Sequence, residues 1–243
     1  MSNDVNTIYN EVCAAVYDDW FAAFDPAAID RLAEFAGTGR ALELGIGTGL
    51  IALPLARHGV EVCGIDASTA MVARLREKPG GDAISVTMGN FADVGVEGKF
   101  SLIFIVYNTL FALQTQKEQV RCFQNVSEHL TDGGVFVVEV FVPNFTFFKR
   151  EQELKVTAVT SDRVGLKISQ HDAVNQRIKS QHLVLINNQV KLFPVEIRYA
   201  YPAEMDLMAR LAGLQLKHRW SDWQQNPFTS TSAKHISIYE RRA

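Results

Sequence analysis

Between Arg40 and Val142 the chain repeats one alternation, and that alternation restricts the fold more than any other feature. Five short apolar stretches, "ALELGI", "VEVCGID", "AISVTMG", "FSLIFIVY" and "VFVVEVFV", carry few charges. Three amphipathic segments, "GLIALPLARHG", "STAMVARLREK" and "QKEQVRCFQNVSEHL", lie among them, the second capped by Ser68. Apolar strands joined through helices pair side by side in parallel, and the helices cover both faces of the sheet. With 243 residues, 47% of them hydrophobic, the chain is long enough for one large domain or a domain with an insertion.

The flanks read differently. Residues 1–39 hold two helices. "TIYNEVCAAVYDDWF" sets Tyr9, Cys13, Tyr17 and Trp20 on one helical face, and "DPAAIDRLAEFAG" opens with Asp25 and Pro26 and stops at Gly37. From 144 to 200 the period changes to two, with strands "KVTAVT", "VGLKISQHD", "RIKSQHLVLI" and "QVKLFPVEIRYAY" and a hairpin turn at Asn187. Such alternation with short turns predicts an antiparallel insertion after the fifth strand. Residues 201–243 add a helix, "AEMDLMARLAG", and two final strands. The expected fold is thus α/β, a doubly wound, mostly parallel sheet of seven strands within a single domain, residues 40–143 forming its ligand-binding half.

The stretch "ALELGIGTGL" places Gly45, Gly47 and Gly49 directly behind the first strand. A strand, a glycine-rich turn and a helix bring backbone N–H groups around a ligand. A dinucleotide fingerprint needs its third glycine one residue later, and Glu43 favours a ligand with an ammonium group over a pyrophosphate. A nicotinamide-dependent oxidoreductase is therefore the weaker alternative. Asp66 ends the second strand, where a carboxylate can accept ribose hydroxyls. "GNFAD" follows the third strand, and "TDGG" precedes the fifth.

The combination "LELGIGTG", "GIDAS…M", "GNFAD" and "LTDGG" resembles the class I S-adenosylmethionine-dependent methyltransferases from about Tyr9 onward. The insertion is similar to that of the small-molecule, amino-sugar N-methyltransferase type. The resemblance implies S-adenosylmethionine as cofactor, with Glu43, Gly45, Gly47 and Gly49 along its methionine moiety. It implies Asp66 at the ribose, Ala67 and Met71 on the adenine, Asn90 and Phe91 at the adenine edge, and Tyr107 beside the sulfonium. It also implies residues 1–39 as a lid and residues 144–200 as a roof over the substrate cleft. Two positions depart from the family's pattern: Asn90 and Ser101 stand where Asp is common.

Methyl transfer needs alignment and exclusion of water more than a catalytic triad. Tyr17 is the candidate catalytic residue. Tyr9, Trp20, Asn108, Glu139, Phe141 and His235 are candidates for substrate contact, His235 reading otherwise as a surface histidine. Buried Glu139 implies a substrate amine or an internal Arg. Phe145, Phe147 and Phe148 read mainly as core, His171 and His182 as a solvated face of the insertion, and Arg198 with Tyr199 as a hold for an anionic group. The six histidines have no metal-ligand spacing, and no metal is expected.

Net charge is −3 and no run of five basic residues occurs, which disfavours nucleic acid. The Asn/Asp-Pro-Pro-Tyr/Phe tetrapeptide of exocyclic-amine DNA methyltransferases and a Pro-Cys nucleophile are both missing. No apolar run is long enough to span a bilayer, the first residues are not a signal peptide, and three scattered cysteines suit a reducing compartment. The expectation is a cytoplasmic enzyme acting on a small molecule of specialised metabolism, as a monomer or homodimer. An amine nitrogen is the first choice of acceptor, an electron-rich carbon such as that of an indole the second, and a hydroxyl the third. A non-catalytic protein of the same fold remains a separate alternative.

Overall fold

The computed structural model describes residues 9–21, 25–145, 151–186 and 189–242. The side chain of Trp20, the phenylalanines 147 and 148, and the expected turn at Asn187 lie outside the described residues.

Helix α1 spans Glu11–Phe21 and α2 Ala27–Ala36. Asn10 starts α1 by accepting the N–H groups of Val12 and Cys13, both at 3.1 Å. Then follow β1 Arg40–Leu44, α3 Ala52–Arg57, β2 Glu61–Asp66, α4 Thr69–Arg76, β3 Ser85–Met88 and β4 Phe100–Ile105. Helix α5, Gln116–His129, begins with a reciprocal cap between Thr115 and Glu118 and runs into β5, Leu130–Phe141. The insertion is β6 Gln152–Val159, β7 Arg163–Asp172, β8 Arg177–Ile186 and β9 Gln189–Arg198. Helix α6 Pro202–Leu211 and strands β10 Leu214–Trp220 and β11 Lys234–Arg241 complete the described elements.

The main sheet has seven strands in the order β10-β11-β5-β4-β1-β2-β3. Strands β1 to β5 are parallel, and β11 lies antiparallel between β5 and β10. The order reverses between β1 and β4, so the loops leaving those two strands diverge and open a crevice. Leu102 to Ile105 are fully buried because the sheet is covered on both faces. One apolar cluster joins Phe111, Phe123, Phe136 and Tyr239; the other joins Leu32, Leu55, Phe104 and Trp223.

The insertion forms its own four-stranded antiparallel sheet, in sequential order. Its cross-strand ladders define two faces. One ladder runs Val159, Val164, Leu185, Val190; the next runs Val156, Leu166, Leu183, Leu192; a third runs Leu154, Ile168, Gln181, Pro194. On the opposite face lie Glu153, Ser169, Ser180, Val195 and Lys155, Lys167, His182, Phe193. That second face turns toward the domain: Ser169, Ser180, His171 and Phe193 are buried there, and the two serine hydroxyls hydrogen-bond at 2.8 Å. The sheet thus turns a mixed polar and apolar face inward and leaves three apolar ladders outward.

Candidate active site

The crevice between the ends of β1 and β4 is lined from four loops and roofed by α1. Gly45 and Gly47 take left-handed φ values of 75° and 55°. A Cβ on Gly45 would lie 2.5 Å from Thr109 Cγ2, and one on Gly47 would lie 3.3 Å from Met71 Cε. The turn therefore presents bare backbone to the crevice, as close approach of a ligand demands.

Glu43 is buried beneath this turn. Burial and the nearby Asp66 push its carboxyl well above the usual range, while the Ala52 N–H lowers it, and its Oε2 has no hydrogen-bond partner. Asp66 is held by two backbone donors, Gly47 N–H to Oδ2 at 2.7 Å and Ser68 N–H to Oδ1 at 2.8 Å. Burial raises the Asp66 carboxyl and these donors lower it. Ala67, Met71, Asn90 and Phe91 line the same crevice. Tyr107 closes its far side, its phenol raised by burial and then by Glu139 and Glu43.

Helix α1 is tied down at both ends. Ser68 Oγ, the cap of α4, also donates to the Tyr9 carbonyl at 2.6 Å. Near the other end Asp18 accepts from Thr48 Oγ1 at 2.5 Å and pairs with Lys78, whose ammonium also donates to the Thr48 carbonyl at 2.7 Å. Thr48 belongs to the glycine turn, so the helix is fastened to the loop it covers. Tyr9 and Tyr17 meet edge to face, centroids 6.4 Å apart, above the crevice. Burial drives the Tyr9 phenol up to about 12 and raises Tyr17 well above its ordinary value.

Several expected site residues make contacts other than those expected. Gly49 faces Leu75 and Leu53, so its missing side chain serves helix packing rather than the crevice. The Asn90 oxygen, expected to face the adenine, accepts the Ala92 N–H at 2.9 Å, which leaves the amide nitrogen as the outward group. Asn108 takes a left-handed turn and receives the Phe141 N–H at 2.6 Å, joining the ends of β4 and β5. Glu139 pairs with Lys234 at 2.7 Å, a part-exposed lysine in place of the internal arginine or substrate amine its burial suggested. Phe141 packs edge to face on Phe111, centroids 5.1 Å apart, in the core.

His235 is neither at the crevice nor on the surface. It is fully buried, held at Nδ1 by Ser237 Oγ at 2.8 Å, and burial drives its pKa down to about 3. His171 is buried too, stacked on Phe145 and bonded to the Tyr199 hydroxyl at 2.9 Å; His182 is half-buried. Arg198 is spent on Glu204 at 2.7 Å and Gln119 at 2.5 Å, which leaves no free hold for an anion.

Sequence reasoning missed Thr48, Lys78, Thr109 and the stretch Ala112 to Gln114, which also border the crevice or fasten its cover. Thr48 had a signal, since it sits inside the glycine turn. Lys78, thirty residues further on, had none.

A buried carboxylate with one oxygen unpartnered, a hydrogen-bonded carboxylate beyond it, and a bare glycine turn between them suit a ligand with an ammonium group at one end and a ribose at the other. This fits S-adenosylmethionine. The fold and this crevice define an S-adenosylmethionine-dependent methyltransferase, and the chain belongs to that family. Residues 41–134 match the family model described as "Methyltransferase domain". The solved structure of the CcbJ methyltransferase from Streptomyces caelestis is 38% identical, with a TM-score of 0.91 over 97% of this chain and 98% of that one. The cypemycin N-terminal methyltransferase of a Streptomyces species is 26% identical over 97% of this chain and 98% of its own. An S-adenosylmethionine-dependent methyltransferase from Clostridium acetobutylicum shares the fold at 14% identity, TM-score 0.80, covering 97% and 99% of the two chains.

Proposed function

We propose that this methyltransferase of specialised metabolism transfers its methyl group to an amine nitrogen of a small molecule. The charge of the crevice carries the reading. Beside the cofactor residues Glu43 and Asp66, its lining leaves Glu118 and the phenols of Tyr9, Tyr17 and Tyr107 for the acceptor, and among the described lining residues there is no Lys or Arg. Such a wall attracts a cationic or hydrogen-bond-donating acceptor and repels a carboxylate or phosphate. The name of the cypemycin N-terminal methyltransferase supports an amine as well.

S-adenosylmethionine supplies an activated methyl carbon; this chain must bind, align and keep dry. In our reading Glu43 meets the ammonium end of the cofactor, and Asp66 the ribose hydroxyls. Met71, Ala67 and Phe91 pack on the adenine, and Asn90 offers its amide nitrogen to that ring. Helix α1 acts as a lid, latched by Asp18 to the glycine turn, and the insertion roofs the acceptor. Tyr17 has a phenol that stays protonated at neutral pH, so it orients the acceptor through its hydroxyl and does not act as a base. The amine reaches its neutral, nucleophilic form by losing a proton before attack, and kcat/KM should rise with pH up to the amine's own pKa.

Turnover of isotopically labelled cofactor with a panel of amines, indoles and phenols tests the proposal. Labelled amine products with no label in indoles or phenols are expected. Label in an indole carbon or a phenol oxygen alone would overturn it.

A further inference from the structure

An antiparallel sheet with one covered face ordinarily puts its apolar side against the protein and its polar side in water. The insertion does the reverse. Three consecutive cross-strand ladders on its outer face contain eleven apolar residues and one glutamine, Gln181, and no charge. Those at the edge strands stand well clear of the protein: Val156 is 56% exposed, Val159 73% and Leu192 56%. The domain leaves these ladders bare: it holds the opposite face through Ser169, His171, Ile178 and Phe193, and reaches this one only at its far end, where Arg198 meets Gln119 and Glu204.

From this we infer that the outer face of the β6–β9 sheet is the contact surface for a second copy of this chain, related by a two-fold axis. Two arguments select that occupant. An isologous contact sets a patch against itself, so a patch with net charge opposes like to like, whereas an uncharged apolar face is its own complement. An apolar sheet face also stacks on another at about 10 Å with interdigitating side chains. The area agrees. Four strands about 4.8 Å apart and eight residues of about 3.4 Å rise cover roughly 500 Å² in plan. Side chains standing off the backbone increase the accessible area toward the ~800 Å² per partner of a stable interface. The charged pair Lys179 and Glu196 begins only at the ladder beyond, where a polar rim belongs.

Sedimentation velocity and light scattering on the full chain test the inference. The native protein should have twice the mass of one chain. The double variant Val156→Lys/Leu192→Lys would bury four unpaired ammonium groups per dimer, weaken association roughly a hundredfold or more, and halve the particle mass. Both positions are exposed in the single chain, so far-ultraviolet circular dichroism and S-adenosylhomocysteine binding should be unchanged. Leu211→Lys, equally exposed (68%) but on α6, should leave the dimer intact. A native protein that sediments as one chain would overturn the inference, as would a folded double variant that remains dimeric. Dissociation by Leu211→Lys as well would also count against it.

Discussion

Replacing Asp66 by Ala should both soften the empty protein and weaken its hold on cofactor, and the two effects can be sized separately. In the native chain the carboxylate accepts from the Gly47 and Ser68 N–H groups at 2.7 and 2.8 Å and is only 9% exposed. A hydrogen bond to a charged group contributes about 1.5–3 kcal/mol. Losing two would cost about 3–6 kcal/mol if both donors stayed dry. The crevice admits water, which recovers part of that, so about 2–3 kcal/mol is expected. For a chain of this length that lowers Tm by roughly 4–12 °C. The ribose hydroxyls then lose their acceptor, about 1–3 kcal/mol more, or roughly five- to 150-fold in Kd. Thermal unfolding without ligand reads the first effect, and calorimetry with S-adenosylhomocysteine reads the second. Asp66→Asn keeps one acceptor oxygen and should fall between Ala and wild type on both scales. An Asp66→Ala protein with native Tm and native affinity would refute the assignment of both roles.

Three further outcomes follow from the geometry. Tyr17→Phe keeps the ring and removes the hydroxyl, so kcat should fall roughly tenfold, about 1.4 kcal/mol, with S-adenosylhomocysteine affinity nearly unchanged; equal turnover would make Tyr17 a packing residue. Asp18→Ala removes the latch to Thr48 and Lys78; because that pair is partly exposed, about 1 kcal/mol is expected, seen in stopped flow as a cofactor off-rate about fivefold faster. An unchanged off-rate would mean the helix is held by its apolar contacts alone. His235 has a folded pKa of about 3 against 6.5 in the unfolded chain, so its neutral form contributes stability above pH 6.5 that is lost as pH falls toward 3. Urea denaturation should show stability decreasing by roughly 1 kcal/mol per pH unit below pH 6.5. His235→Asn should flatten that slope between pH 6.5 and 4.5, and parallel slopes would contradict the burial of an uncharged imidazole.

What could be read from the chain follows the range of the forces involved. The parallel half was legible because period and caps are local: Ser68 caps α4, Gly37 ends α2, and Gly45 and Gly47 mark a turn that only bare backbone can make. Partners distant in the chain were not legible. Arg198 finds Gln119 seventy-nine residues away, and Glu139 finds Lys234 ninety-five residues away. No window of neighbouring residues contains either pair, so each looked available for substrate. The insertion was legible as an antiparallel sheet, but its covered face was not, for a different reason. A two-residue alternation separates two faces of a sheet but is symmetric between them, so it says nothing about which face the rest of the domain covers. His171 and His182 were assigned to solvent on the usual rule that polar residues face outward, and here the rule is inverted.

The insertion also bears on how the crevice is held. After β4 a short 3-10 turn, Thr109–Ala112, leads into the wall residues Leu113 and Gln114, which have no regular structure of their own. This wall is braced from the insertion, where Gln114 Nε2 donates to the Glu196 carbonyl at 2.7 Å and Arg177 donates to the Gln114 carbonyl at 3.3 Å. One turn further, Gln119 exchanges hydrogen bonds with the Arg198 backbone and side chain. Arg177 and Arg198 pair across β8 and β9 on the same face as Lys179 and Glu196, at the polar end of the sheet's outer face. Polar groups at that end are therefore spent on positioning a crevice wall. Apolar side chains there could have packed against the domain, but they could not have satisfied the Gln114 carbonyl, and a buried carbonyl without a donor costs about 1–3 kcal/mol. The face thus divides along its strands: its end beside α5 and α6 is polar and holds the wall, and its apolar ladders begin only beyond Lys179 and Glu196.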